Sequence, residues 1–596
     1  LDERIAGLLE ARFAIPAEEG PSKLTSLSEA VKRYIKPGQT LHTAIAHTLS
    51  YPLCLEILRQ FRGTNPGFTL ATLGAVNHAV LMTHTGLLRK IVTSYCGDVY
   101  PYPSPNPVFQ KAYAEKRVTI ENWTVLTFTM RLLAGAMGLP GLPTRSLLGS
   151  GMEEENPEAF RRLEDPFGEG GPVGFLKPLR PDMTIMHAWA ADRFGNALFA
   201  PPYAEGVWGA FAAREGVLLT AERIVSTDFI RRHAPQVRLP GYRVLGVVEA
   251  PFGAHPGGYA NAGLPDMTGY AEDYDVLESF RKTCEDPKAL DDWLERWVWS
   301  CRDHSDYLSR LGYERLMFLR GKADPDSWVY ETDSLADQIS LDAPPNPAER
   351  MTLAAAALVA EKAKDAGYPT ILAGQGNSNL AAWMARFRLL REGEPVEVMT
   401  ETGFFGYLPR SGNPFLFNFA NIPTCKMLTG VLDSLGVMVS GAGGRCLGVL
   451  AAGQVDRRGS FNSTKVGDSF FIVGSGGAND VASTAREVVL VVPQTRIRYV
   501  ERVPYVTGPG DRVTALVSDR GIFEKPPGKE DLRLTACFLF PDRSRDELVA
   551  EIRAHCGWNL RVASELREVP PPDSEDLRVL RLLDPRGNFI GSSTGK

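Results

Sequence analysis

The sequence predicts an α/β protein made of two related open domains with largely parallel sheets, and three observations carry that expectation. Strand-like apolar runs alternate with helix-length amphipathic stretches along the chain, the pattern of repeated strand–helix–strand units. The alternation breaks once, over 323–348, where the sequence is polar, rich in Asp and Pro, and without sustained periodicity. Short words also recur at one spacing. Ala191-Asp192-Arg193-Phe194-Gly195-Asn196 returns as Val455-Asp456-Arg457-Arg458-Gly459-Ser460, and Ala221-Glu222-Arg223-Ile224-Val225 as Ala485-Arg486-Glu487-Val488-Val489, both 264 positions later (456 − 192 and 485 − 221). Each Asp-Arg-x-Gly word alone is an ordinary turn, Asp bonding the following backbone and Gly taking positive φ; two matches in register favour a duplicated α/β domain. The expected division is a first half over 1–322, a linker over 323–348 and a second half over 349–596.

The chain has 596 residues, 44% hydrophobic and 23% charged, with a formal net charge of −6. That length exceeds one core, and the composition is that of an ordinary globular protein. The weak negative charge gives no general attraction to nucleic acid or anionic lipid. No apolar run approaches the roughly 18 residues that span a bilayer, and Leu1-Asp2-Glu3-Arg4 leads into a mixed helical segment with no signal-peptide pattern. The eight cysteines are scattered without a C-x-x-C pair, and the nine histidines lack metal-ligand spacing. These features predict a reducing, cytoplasmic setting and no structural metal.

In the second half, Asn346-Pro347-Ala348-Glu349 reads as an N-cap, a first-turn proline and a capping-box acid opening an alanine-rich helix, Met351 to Ala363. Pro369 to Ala373 reads as a buried strand, Gly374-Gln375-Gly376-Asn377-Ser378-Asn379 as a glycine loop, and Leu380 to Leu390 as a helix. The loop suits a phosphate or ligand carbonyl at a helix N-terminus, although Asn379 stands where a dinucleotide fingerprint has its third glycine; a tight turn without ligand explains it equally. Val396 to Thr400 reads as a strand delivering Glu401-Thr402-Gly403 to a crevice, Gly403 letting the backbone turn away. Taken alone, Glu401 is better explained as a solvated loop acid than as a nucleophile. Beside it, Phe404-Phe405 can exclude water from a reactive acyl intermediate.

Glycine-rich stretches follow at Gly441-Ala442-Gly443-Gly444 and at Gly474 to Gly477. The second lies between a strand-like Phe470 to Val473 and a helix-like Val481 to Arg486, with Ala478 entering the turn and Asn479-Asp480 placed to cap the helix. Gly476 and Gly477 are therefore candidate backbone donors to an oxyanion, and Gly443 and Gly444 candidates for close approach to a ligand. In the first half, Glu121, Asn122 and Trp123, with Arg131 and Arg145, are candidates to line a small-acid pocket or to pair a second carboxylate; the alternative is that Trp123 is a core anchor and the arginines are solvated. Glu121 is a possible second catalytic carboxylate.

These residues resemble a known family. Glu401-Thr402-Gly403 is similar to the Glu-x-Gly nucleophile motif of class I coenzyme A transferases. Gly453 to Thr464, Gly476 to Asp480 and Arg498-Tyr499-Val500-Glu501-Arg502-Val503 resemble the β subunit of the glutaconate branch. Ile120 to Trp123, Arg131 to Gly135, Pro143-Thr144-Arg145 and Ala190 to Asn196 resemble its α subunit. The resemblance covers roughly 30–320 and 349–580 and implies an α–β fusion. It further implies two domains of the ribose-5-phosphate isomerase type with the site at their interface, and a homo-oligomer. Coenzyme A is then a substrate, with no permanently bound cofactor, and the other partners are an acyl-CoA and a small carboxylic acid. Glu401 would attack an acyl-CoA to give an anhydride and then a glutamyl-CoA thioester, in a ping-pong cycle. Thr402 stands where relatives often carry Ser or Asn. The same branch includes ring-cleaving hydrolases and a decarboxylase in which the nucleophilic Glu is replaced, so a hydrolase using Glu121 as base stays open, as does a ligand sensor without chemistry.

Overall fold

The computed structural model describes residues 2–16, 20–168, 170–261, 263–264, 267–526, 528–538 and 543–591; Leu1 of the expected N-terminal segment lies outside them. In the first half, one sheet of nine strands holds seven parallel ones, β1 (Thr40–Thr43), β2 (Phe68–Ala71), β3 (Leu88–Thr93), β4 (Thr119–Asn122), β5 (Met183–Asp192), β6 (Gly216–Val225) and β7 (Val244–Glu249), with Ala197–Leu198 and Val237–Leu239 joined to it antiparallel. The order of the parallel strands is β4-β3-β2-β1-β5-β6-β7. In the second half β8 (Thr370–Ala373), β9 (Glu397–Met399), β10 (Cys446–Leu450), β11 (Glu487–Val491) and β12 (Val513–Val517) run parallel in the order β9-β8-β10-β11-β12. Two short antiparallel strands extend this second sheet beyond β9, and beyond β12 an antiparallel strand, Gly521–Glu524, leads to Arg533–Phe538 and Val562–Val569, which pair parallel with each other. The order β2-β1-β5-β6-β7 thus recurs as β9-β8-β10-β11-β12, with β3 and β4 added in the first half.

Why these segments become buried strands is plain from their composition. All ten residues of β5 and all five of β10 are buried, as continuous apolar runs must be when helices cover both faces of a parallel sheet. The helices between them are capped as their sequences require. Asn346 Oδ1 accepts from Glu349 N–H (2.9 Å) while Glu349 Oε2 accepts from Asn346 N–H (2.8 Å), opening helix Pro347–Asp365. Helix Asn377–Arg391 follows β8 directly.

The repeated words are the same turn built twice. Asp192 Oδ1 accepts from the backbone N–H of Phe194 (3.0 Å) and Asn196 (2.9 Å), and Asp456 Oδ1 from those of Arg458 (2.9 Å) and Ser460 (3.1 Å). Gly195 and Gly459 take φ of +93° and +77°, where an added Cβ would stand 2.7 Å from Val244 Cβ and 2.9 Å from Val513 Cβ. Those valines open β7 and β12, which are equivalent in the strand order.

Between the halves the expected linker is more ordered than its composition suggests. It holds a helix, Ser327–Ser334, and the carbonyls of Ser340 and Leu341 accept from the Arg581 guanidinium (2.7 and 3.0 Å), which ties the segment to the C-terminal helix Ser574–Leu583. The sequence lacks periodicity there because these contacts are polar and irregular. An apolar core crosses from one half to the other, joining Leu126, Phe128 and Leu132 to Val431, Leu435 and Val481. Among the described residues no helix is long and apolar enough to cross a membrane.

The twin turns predict twin sensitivities. Gly195→Ala and Gly459→Ala should each destabilise the protein by roughly 1–3 kcal/mol, since alanine is strained at positive φ and has no room there. Urea unfolding followed by fluorescence should show both midpoints below that of the unsubstituted protein; one silent substitution would mean that the two turns are not structurally equivalent.

Candidate active site

The carboxyl ends of the two sheets meet, and Glu401 stands where they do. It directly follows β9 in a tight reversal: Thr400 N–H donates to Phe404 O (2.9 Å) and Thr429 N–H to Gly403 O (2.9 Å). Gly403 has φ of +114°, and a Cβ there would fall 2.5 Å from the Thr429 carbonyl, so only glycine lets the chain turn while Glu401 projects. Ser434 Oγ donates to the Glu401 carbonyl (2.6 Å) and fixes the turn from behind.

The glycine cluster is clamped onto the first half. Gly476 N–H donates to Ser94 O (2.9 Å), Val125 N–H donates to Gly476 O (3.1 Å) and Cys96 N–H donates to Val473 O (2.7 Å). Asp480 then caps a helix of the other half. Its carboxylate accepts from Thr124 Oγ1 (2.6 Å) and Leu126 N–H (3.0 Å) at the start of helix Val125–Met137, where a negative charge meets unpaired N–H groups and the positive end of the helix dipole. Gly477 N–H donates to Glu401 Oε2 at 2.9 Å, and a Cβ at 477 would fall 2.2 Å from that oxygen.

Two cavities open on Glu401. A channel of about 430 Å³ runs along the second half, past Gly374 to Asn377, Ala451 to Gly453, Gly476 to Ala478, and Arg498. It occupies the crevice between the carboxyl ends of β8 and β10, the point at which the strand order reverses and where open α/β sheets bind ligands. A second, more enclosed pocket of about 210 Å³ reaches into the first half, with Thr402, Phe404, Val125 and Tyr95 among its walls. Glu401, Gln375, Tyr95 and Gly476 border both. Burial raises the Glu401 carboxyl to about 7, the Gly477 N–H opposing the shift and the Asp480 charge adding to it. Asp480 is itself raised to about 6 by burial, against its hydrogen bonds.

The structure brings together Glu401, Gly374, Gln375, Gly376, Phe404, Gly476, Gly477 and Ala478. It separates the rest, each for a physical reason. Glu121 borders neither cavity. It ion-pairs with Lys90 (2.5 Å) and Arg131 (3.1 Å) and accepts from Trp123 Nε1 (2.7 Å), and these cations hold its carboxyl below the usual range against burial. Trp123 is a fully buried core residue with the Arg131 guanidinium 4.0 Å from its ring centre. Asn122 is buried against Gly474, and Arg145 is exposed away from both cavities. Gly443 and Gly444 precede β10 and so lie at its amino end, opposite the site. Asn479 joins the halves instead of binding a ligand: Oδ1 accepts from Leu147 N–H (2.8 Å) and Nδ2 donates to Thr507 O (2.9 Å). The expected oxyanion donors are also revised. Gly476 N–H is spent on Ser94 O, and Gly477 N–H points at the Glu401 carboxylate itself. Among the described residues, no three His, Cys, Asp or Glu side chains are grouped to hold a metal ion.

Sequence reasoning missed Arg498, His47 and Glu272 as site residues, all at the cavities. Arg498 lay in a recognisable motif; the others carry no local signal, because folding alone brings them within reach of Glu401.

The chain is similar to known coenzyme A transferases. The family model described as Coenzyme A transferase matches residues 24–250, within the first half of the chain. It is 27% identical over 317 residues to one subunit of the glutaconate CoA-transferase of Acidaminococcus fermentans, spanning 50% of this chain and 95% of that subunit. It is also 26% identical over 167 residues to a second subunit of the same enzyme, spanning 24% of this chain and 60% of that polypeptide. One chain thus resembles two subunits of that enzyme. An uncharacterized protein of Archaeoglobus fulgidus is 28% identical over 299 residues, 50% of this chain and 64% of the relative, so the match spans under two thirds of that relative's length. The apoenzyme structure of an acyl-CoA transferase of Escherichia coli O157:H7 aligns with a TM-score of 0.63 at 16% identity, covering 97% of this chain and 98% of its own, which shows a shared fold.

The raised Glu401 acid makes a stability prediction. Between its ordinary value of 4.5 and about 7 the folded protein keeps a proton that the unfolded chain has lost, so the contribution is whole below 4.5 and is lost as pH rises through 7. Glu401→Gln removes that loss. Its melting temperature should exceed that of the unsubstituted protein at pH 8, by the equivalent of at most about 3 kcal/mol, and the difference should shrink to a small remainder at pH 5. A difference independent of pH would contradict the buried, proton-holding carboxyl.

Proposed function

We propose that the protein moves coenzyme A between an acyl-CoA and a carboxylic acid by a ping-pong mechanism with Glu401 as nucleophile, and that its two halves correspond to fused subunits over 1–322 and 349–596. The observation that carries this reading is the position of Glu401: one recessed carboxylate at the neck between an open channel and an enclosed pocket, with one oxygen held by Gly477 N–H. A thioester has two parts that need separate places, a long polar arm and an acyl chain, and the junction between two cavities is where its carbonyl would lie.

The chemistry follows from that placement. The free oxygen of ionised Glu401 attacks the thioester carbonyl, forming a C–O bond; the C–S bond breaks, leaving an acyl-glutamyl anhydride and CoA thiolate. The thiolate attacks the Glu401 carbonyl, and the first acid departs as a carboxylate. Glutamyl-CoA thioester remains, and an acceptor carboxylate runs the steps in reverse. No redox change occurs and no net proton is consumed. When sulfur attacks the Glu401 carbonyl, negative charge develops on the oxygen that Gly477 N–H already contacts, so that donor serves the enzyme's own acyl group; one such donor is worth about 3–4 kcal/mol in related chemistry. For charge developing on the substrate carbonyl, the side-chain amide of Gln375 is the candidate: it borders both cavities and spends one Nε2 hydrogen on Val99 O (2.8 Å). Along the channel, Arg498 and the start of helix Asn377–Arg391 offer positive charge to an anionic arm.

Burial changes one premise drawn from sequence. A glutamate with its ordinary acidity would be ionised at any neutral pH, whereas Glu401 titrates near 7, so acyl capture should weaken below that pH. A hydrolase using Glu121 as base is not favoured, because Glu121 is locked between Lys90 and Arg131.

Incubation with an acyl-CoA and no acceptor should add coenzyme A to the Glu401 peptide, as a mass increase removed by hydroxylamine. Glu401→Ala should abolish both adduct and transfer, and Glu401→Asp should lose at least about a hundredfold in rate because the shorter side chain withdraws the carboxylate from its attack position. Transfer that survives in Glu401→Ala would overturn the assignment.

A further inference from the structure

We propose that the enclosed pocket on the first-half side of Glu401 holds the acyl chain, and that it selects chains ending in hydrocarbon over chains ending in a second carboxylate. The proposal rests on the transferase reading for its chemistry, but on the pocket's own walls for its specificity.

Those walls are largely apolar: Val76, Val99, Leu277, Phe404, Phe415 and Phe417 come from both halves and face one another across it. Among the described residues no lysine or arginine lines the pocket. Arg131 and Arg145, the cations that the sequence offered to a dicarboxylate, are committed to Glu121 or exposed elsewhere. The pocket's neutral donors include the amides of Asn77 and Gln375, and the two groups besides Glu401 that could carry charge at neutral pH, His47 and Glu272, are of the wrong kind for an anion. His47 lines the pocket with Nδ1 2.8 Å from Gly258 O. A carbonyl can only accept, so Nδ1 carries the proton; burial holds the ring neutral by lowering it to about 4, leaving Nε2 as an acceptor. Glu272 also lines the pocket, and its Oε2 is shut from solvent without a hydrogen-bond partner. The cation whose charge reaches Glu272 is Lys322, which ion-pairs with Glu331 (3.3 Å) and lies over the Tyr274 ring; it is not among the pocket's walls.

A second carboxylate in this space would be desolvated, would find no cation, and would meet a carboxyl group and an imidazole lone pair. A hydrocarbon end would lose nothing on leaving water and would fill contacts with three aromatic rings. The same walls serve donor and acceptor, because the two acids occupy the pocket in turn. The preferred substrates are therefore monocarboxylic acids with aliphatic or aromatic tails, and their CoA esters.

The test separates binding from chemistry. On Glu401→Gln, which keeps the shape of the site and cannot react, calorimetric dissociation constants for hexanoyl-CoA and glutaryl-CoA share the CoA contribution, so their ratio reports the acyl pocket. Hexanoyl-CoA should bind at least about tenfold more tightly; equal binding, or tighter glutaryl-CoA, overturns the proposal. Placing a cation at the wall by Leu277→Arg, in the same background, should move the ratio toward glutaryl-CoA by at least about tenfold; an unmoved ratio would show that the chain lies elsewhere. Adduct formation on the unsubstituted protein is read separately. Its absence, with the hexanoyl preference intact, would remove the transferase reading and leave the pocket assigned.

Discussion

One hydrogen bond, from Gly477 N–H to Glu401 Oε2, ties the two working parts of the second half together, and the rest of the site depends on it. Its donor is positioned by contacts to the other half of the molecule: Gly476 on Ser94, Val125 on Gly476, Asp480 on the start of helix Val125–Met137. The orientation of the carboxylate is thus set by the interface between halves and not by β9 alone. The 2.2 Å clearance at position 477 explains why the donor must be glycine. A single chain carrying both halves keeps this contact at fixed stoichiometry, whereas separate polypeptides must form it by association.

The same arrangement raises the basicity of the carboxylate at a cost to the fold. Glu401 loses solvation, gains one hydrogen bond and sits near a second buried acid, Asp480, so its charged form is disfavoured. A carboxylate of higher basicity is a better nucleophile toward a thioester, and the strain of holding it is offset by the apolar core and backbone clamps shared across the interface. Gly477 answers only one of its oxygens, and in the proposed mechanism the other makes the attack.

Much of this was legible in the sequence because it rests on local rules. Glu401-Thr402-Gly403, the Gly374 to Gly376 loop and the Asn346 capping box each combine residues whose conformations are nearly dictated by type, and each takes the form expected. The repeated Asp-Arg-x-Gly words foretold a repeated turn for the same reason. What could not be read is what tertiary register decides. Glu121 stands on a strand whose neighbour supplies Lys90, and that pairing turns a candidate base into an ion-pair partner. Gly443 and Gly444 look like a ligand loop but precede their strand, at the end of the sheet away from the cavities. Whether a backbone N–H in the glycine cluster is free depends on Ser94, hundreds of residues away. His47 and Glu272 belong to the site only because two sheets meet end to end.

Isotope transfer tests the central claim, that Glu401 itself carries the acyl group. If an acceptor acid labelled with ¹⁸O in its carboxylate attacks glutamyl-CoA, one of its oxygens becomes the bridge of the new anhydride. When CoA thiolate then takes the acyl group, that oxygen remains on the enzyme. Turnover with labelled acceptor should therefore place ¹⁸O on Glu401, found by mass spectrometry of its peptide, and further turnover with unlabelled acceptor should release it in the acid formed from the acyl-CoA. Label confined to acyl-CoA and free acid, with none on Glu401, would contradict the account.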